Sequence, residues 1–224
     1  MGILLNLETS STNCSVCAAK DGEILAMREL NSANYSHAEK LHIFIEEVLM
    51  EASLKMEDIE AVAISKGPGS YTGLRIGVSA AKGLCYALGI PLISISTLKS
   101  MASQIIINKG EVLIPVLDAR RMEVYSAVFD EKLNEIRETK AEVIDGNSFN
   151  QYVGTNTVHF LGSGAEKIKD ILNYDSICYH CDIVPSAKEM ASIAWSKYQQ
   201  KDFEDVAYFE PYYLKDFVLQ TKKK

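Results

Sequence analysis

Between residues 61 and 88 one segment narrows the choice of fold more than any other. The apolar run Ala61-Val62-Ala63-Ile64-Ser65 breaks into a glycine-rich loop, Lys66 to Tyr71, and the loop opens onto a helical stretch from about Thr72 to Leu88. Gly89 is a natural C-cap, and Pro91 stands where a helix cannot continue. A buried strand that feeds through a tight loop into a helix is the unit from which helix-covered sheets are built, so the chain reads as α/β.

The flanking sequence extends the theme. Ile3 to Leu7, Cys14 to Ala19 and Ile24 to Leu30 read as strands, the last two joined by Asp21-Gly22, a pair that hairpin turns favour. At His37 the period changes, and Leu41, Phe44, Ile45, Val48, Leu49 and Ala52 form a helical stripe. Ser36 is placed to cap that helix, with Glu39 as its capping-box partner. Pro91 to Ser94 predicts another strand and Thr97 to Ile107 a third helix. The second half repeats the pattern more loosely: Val112 to Leu117 and Val124 to Phe129 surround Asp118-Ala119-Arg120-Arg121, and a strand at Val158 to Leu161 ends in Gly162-Ser163-Gly164. Ser186-Ala187-Lys188-Glu189 reads as a capping box for the helix that contains Trp195. A boundary near Lys109-Gly110 predicts two lobes, residues 1–109 and 110–224.

The glycine loop sits where free backbone N–H groups and the positive end of a helix favour an anion, so Gly67, Gly69, Ser70 and Thr72 form a candidate nucleotide or anion loop. Its spacing is not that of a Walker loop, and Thr72 replaces the third glycine of the dinucleotide fingerprint. The other reading is a tight turn whose glycines let the helix press on the sheet. Gly73, Gly77 and Gly83 each cost a helix interior about 1 kcal/mol against alanine, so something must offset them. Leu74, Val78, Ala81, Cys85 and Leu88 line one side, while Ile76, Ala80, Leu84 and Ala87 carry apolar surface to another. A helix apolar on two sides is buried on both, one against the sheet and one against a partner or the second lobe.

Other candidates are weaker. Cys14 and Cys17 suggest a C-x-x-C pair, but three residues apart on a strand they point to opposite faces; Cys178 and Cys181 form the second such pair. His37 and His42 lie about 140° apart on a helix, which is poor metal geometry. No local signature assembles a nucleophile with its base, so the expectation is no catalytic residue and no metal. A net charge of −7 argues against independent nucleic-acid binding, and the sole basic run is Lys222-Lys223-Lys224. Five cysteines, an odd number, and a first segment without a basic start or cleavage site predict reduced thiols and a cytoplasmic location. No apolar run approaches the roughly 18 residues of a membrane span, so no membrane partner is expected.

Four segments together resemble the TsaB (YeaZ) family, the non-catalytic partner subunits of tRNA threonylcarbamoyladenosine synthesis. They are Leu7-Glu8-Thr9-Ser10-Ser11-Thr12 with Cys14-Ser15-Val16, Ser36-His37, Gly67 through Gly77, and Asp118 through Tyr125; Pro211-Tyr212-Tyr213-Leu214 adds a fifth, shorter match. The resemblance implies a two-lobed fold of the actin, hexokinase and Hsp70 type, each lobe a mixed sheet flanked by helices. It implies pairing with the catalytic paralogue TsaD through the first two helices, for which His37, Leu41, Ile45, Gly73, Leu74, Gly77, Ala80, Ala81 and Leu84 are the candidate residues. It also implies an ATPase partner, TsaE, a homodimer when TsaD is absent, tRNA reached only indirectly, and no cofactor of its own, with ATP at the partner complex. The paralogue's His-x-x-x-His is missing, and the first loop reads Glu8-Thr9-Ser10-Ser11 where the fold usually has Asp-x-Gly-Thr. The alternative is an enzyme in its own right, a metallopeptidase or a small-molecule kinase of the same fold. The interface reading carries a test: Gly77→Arg is expected to abolish pairing without unfolding the chain.

Overall fold

The computed structural model describes residues 2–32 and 36–214, so the Lys222-Lys223-Lys224 run lies outside the described residues. Two five-stranded sheets carry the fold. The first contains β1 (Ile3–Glu8), β2 (Asn13–Lys20), β3 (Glu23–Asn31), β4 (Ala61–Gly67) and β5 (Leu92–Ser96), in the order β3-β2-β1-β4-β5. The second contains β6 (Val112–Asp118), β7 (Glu123–Phe129), β8 (Glu135–Val143), β9 (Val158–Leu161) and β10 (Ile177–His180), in the order β10-β9-β6-β7-β8. Each sheet is the other's repeat: its first three strands run antiparallel, and its fourth and fifth join parallel to the first.

Period-two alternation decides what each face of the first sheet touches. Leu5, Leu7, Val16, Val62 and Ile64 face α1 (His37–Glu51) and α2 (Tyr71–Leu88). Leu4, Cys17, Ala61, Ala63, Ile93 and Ile95 face away from them. α1 brings Leu41, Phe44, Ile45, Val48 and Leu49 to the first of these cores, each fully buried large side chain stabilising by about 1.5–3 kcal/mol. The other face is covered by α5 (Ala187–Gln200), through Ala187, Met190, Ala191 and Ala194. In exchange α3 (Thr97–Ala102) lays Leu98, Met101 and Ala102 on the second sheet, against Leu113, Leu117, Ala127 and Phe129. The short α4 (Ala165–Lys169) closes that sheet's other face with Phe149, Val153 and Ile168. The sequence boundary near 109 divides the sheets, but the last helix of the expected second lobe packs on the first.

Local chemistry explains most of the boundaries. Asp21 and Gly22 both take positive φ, the backbone of a two-residue hairpin turn. Ser70 caps α2 by accepting the Gly73 N–H, and Gly89, left-handed at φ 68°, ends it with its N–H on the Cys85 carbonyl. Two capping boxes read from sequence do not form as such. Ser36 stands at the start of α1 without a side-chain cap, and Ser186 accepts from Lys188 N–H rather than exchanging bonds with Glu189. α3 stops at Ala102, five residues short of the expected Ile107.

Candidate functional site

Four of the segments singled out in the sequence meet at one place, the start of α2. The turn after β1 lies beneath it: the Ser70 N–H donates to the Ser10 carbonyl at 2.6 Å, and the Ser10 N–H donates to the Glu8 carboxyl at 2.6 Å. His37, at the start of α1, closes the side, with Nε2 2.8 Å from the Ser11 carbonyl. That oxygen can only accept, so Nε2 carries the proton. The Pro211–Leu214 segment closes the far end: the Tyr212 N–H donates to the Lys66 carbonyl at 2.7 Å, and the Tyr213 and Tyr71 rings lie 4.9 Å apart.

Glycine makes this convergence sterically feasible. A methyl group on Gly69 would overlap the Ser10 carbonyl, one on Gly73 the Thr9 carbonyl, and one on Gly77 the Thr9 hydroxyl and the Ile64 side chain. These glycines, one in the loop and two in the helix, therefore let the helix press directly on the β1–β2 turn. Two N–H groups that an anion would use, those of Ser70 and Gly73, are already bonded within the chain. Of the two readings of this loop, its geometry supports the packing turn.

The electrostatics agree with a closed site. Glu8 is wholly buried, and burial holds its carboxyl above the usual range, partly offset by the bonds from Ser10. Burial likewise keeps the His37 imidazole below its ordinary pKa, with its bond to Ser11 opposing. The pair Cys14 and Cys17 falls on opposite faces of the first sheet, and burial pushes their thiols up to about 11 and about 12. Among the described residues no three His, Cys, Asp or Glu side chains are grouped to hold a metal.

The expected interface residues need correcting. His37, Leu41, Ile45, Gly73, Leu74, Gly77 and Ala81 are buried inside the chain, facing the sheet or the β1–β2 turn. Ala80 and Leu84 are partly buried against the same core. Gly77→Arg, meant to probe pairing, would instead drive a side chain into Thr9 and Ile64. The outward surface of the two helices belongs to residues that periodicity did not rank. Ile43 and Met50 on α1 are 46% and 77% exposed, and Tyr86 on α2 is 86% exposed. Gly83 has open space over it, at the floor of a cavity of about 690 Å3 bordered by Lys82, Tyr86 and residues 205–207.

The twin mixed sheets, the exchanged helices and a turn clamped under a helix start define a two-lobed α/β protein of the actin, hexokinase and Hsp70 class. Two Pseudomonas aeruginosa structures superpose on nearly the whole of it. An uncharacterized protein with similarity to peptidase YeaZ gives a TM-score of 0.85 at 23% identity, and YeaZ itself 0.82 at 24%; both span 96% of this chain and 100% of theirs. Residues 31–222 match the family model described as TsaD, tRNA N6-adenosine threonylcarbamoyltransferase. The tRNA threonylcarbamoyladenosine biosynthesis protein TsaB of Haemophilus influenzae is 31% identical over 98% of this chain and 96% of its own length. That of Escherichia coli is 29% identical over 98% and 97%. The chain belongs to the TsaB family.

Proposed function

We propose that this chain is the non-catalytic subunit that pairs with a TsaD-type transferase and, with the ATPase TsaE, enables threonylcarbamoyl transfer to the adenosine beside the anticodon of tRNA. The near full-length likeness to relatives named for tRNA threonylcarbamoyladenosine biosynthesis carries this reading. The closed β1–β2 turn supports its non-catalytic half, because the chain's own Thr9 and Ser10 backbone occupies the space against the helix start. That filling also disfavours a small-molecule kinase, which needs open phosphate loops. ATP then belongs to the complex rather than to this chain, and the setting is the cytoplasm.

Pairing runs through the outward faces of α1 and α2, centred on Ile43, Met50, Gly83 and Tyr86. Exposed apolar side chains on two helices that touch each other favour a cover, and a second copy of the chain takes that place when the transferase is absent. The test is co-elution of the transferase with Gly83→Arg and Tyr86→Arg variants. Both substitutions enter open space, so the variants should melt like the parent while losing the partner; retained co-elution would refute this face as the interface.

A further inference from the structure

We propose that Arg120 and Arg121, in the turn between β6 and β7, bind the phosphodiester backbone of RNA. The chain has five arginines, and three are engaged internally. Arg28 pairs with Glu47 and Glu51, Arg137 with Glu142, and Arg75 donates to the Tyr71 hydroxyl and lies over its ring. Arg120 and Arg121 are exposed, and among the described residues neither guanidinium makes an ion pair or a hydrogen bond.

The backbone beneath them is unusual. Arg120 and Arg121 take φ of 70° and 54°, the one place among the described residues where two successive non-glycine residues are left-handed. Left-handed backbone costs conformational energy for a side chain with a Cβ, and the chain's other tight hairpin uses Asp21-Gly22 instead. The strained pair is held from below. Asp118 accepts the Arg120 N–H at 2.6 Å and the Lys167 ammonium at 2.6 Å, and that ammonium also donates to the Arg121 carbonyl. Lys167 thus offsets the Asp118 carboxylate, and two adjacent exposed guanidinium groups stand on a chain of net charge −7. Guanidinium is the side chain best matched to phosphate oxygens, which it meets with two parallel N–H donors.

Committing to RNA rests on the proposed role in tRNA modification, and it departs from the indirect role that the acidic composition suggests. The test replaces the turn by Arg120→Asn with Arg121→Gly, two residues that accept left-handed backbone more readily than arginine, which removes both charges and relaxes the backbone. A tRNA transcript is titrated at several salt concentrations, against the chain paired with its transferase and against the chain alone. The double variant should melt no lower than the parent, bind tRNA roughly tenfold more weakly at low salt, and show a log–log salt slope reduced by about one to two. An exchange of two distant exposed lysines, Lys20→Gln with Lys132→Gln, should leave affinity and slope unchanged. Unaltered affinity and slope in the Asn-Gly variant, or an equal loss in the lysine control, would overturn the assignment. So would loss of binding to inorganic phosphate or ADP with tRNA binding intact, which would mark the turn as a site for a free phosphate. Co-elution with the transferase is read separately; its failure would strike the proposed function and leave the arginine measurement on the chain alone to decide this inference.

Discussion

Gly69, Gly73, Gly77 and Gly83 follow one another through one loop and one helix, yet they do different work. The first three are needed because Thr9 and Ser10 lie against them, whereas Gly83 meets nothing within 4 Å. A backbone carbonyl cannot move aside, so Gly73→Ala should lower stability by about 1–3 kcal/mol in denaturant unfolding, despite alanine's better helix propensity. Gly77 meets a side-chain hydroxyl instead, and Gly77→Ala should be partly rescued by Thr9→Ala in a double-mutant cycle; strictly additive losses would contradict the contact. Glu8 carries the pH dependence of the same turn. Its folded carboxyl is held above its unfolded value, so its favourable contribution is complete below about pH 4.5 and is lost as pH rises through the folded pKa. Glu8→Gln removes that loss: above pH 4.5 unfolding free energies should fall less steeply with pH than in the parent, and an unchanged slope would count against a raised Glu8 pKa.

Among the elements, α2 shows how far a sequence pattern reaches. Its end at Leu88, its Gly89 C-cap and its core stripe of Leu74, Val78, Ala81 and Cys85 stand where the sequence puts them, while its Ser70 N-cap is a feature of the structure. The period could not say which apolar side faced outward, because that depends on where α1 and the 205–213 segment lie. The same limit explains why the sequence alone points to Leu41, Ile45 and Gly77 for the interface although they lie inside the chain. Two strands were missed for lack of pattern: β8 is largely exposed and rich in charge, and β10 has four residues with no buried one. Gly83, unlike its neighbours, should tolerate alanine. Gly83→Ala is expected to stabilise the isolated chain by about 1 kcal/mol in thermal or denaturant unfolding, and a destabilised variant would reveal an internal contact.

Across the whole molecule the two sheets are repeats in strand order and pairing, joined by an exchange of helices. α3 leaves the first sheet to cover the second, and α5 returns from the end of the described chain to cover the first. The amphipathic stripe of α5 was legible, but not its destination, because a stripe specifies an apolar neighbour and not which one. The lobes are therefore not independent: a fragment of residues 1–109 exposes Leu4, Ile93 and Ile95 where α5 should lie. It should bind a hydrophobic dye and lack a cooperative melt, while adding residues 187–200 through a linker should restore one; a cooperative melt of the fragment alone would contradict this dependence. The central claim, a subunit that works only in company, is tested most directly by a threonylcarbamoyl-transfer assay on tRNA with each component omitted in turn. Transfer is predicted to require this chain together with the transferase, with none from the chain alone. Undiminished transfer without it, or ATP or peptide turnover by the isolated chain, would contradict the account.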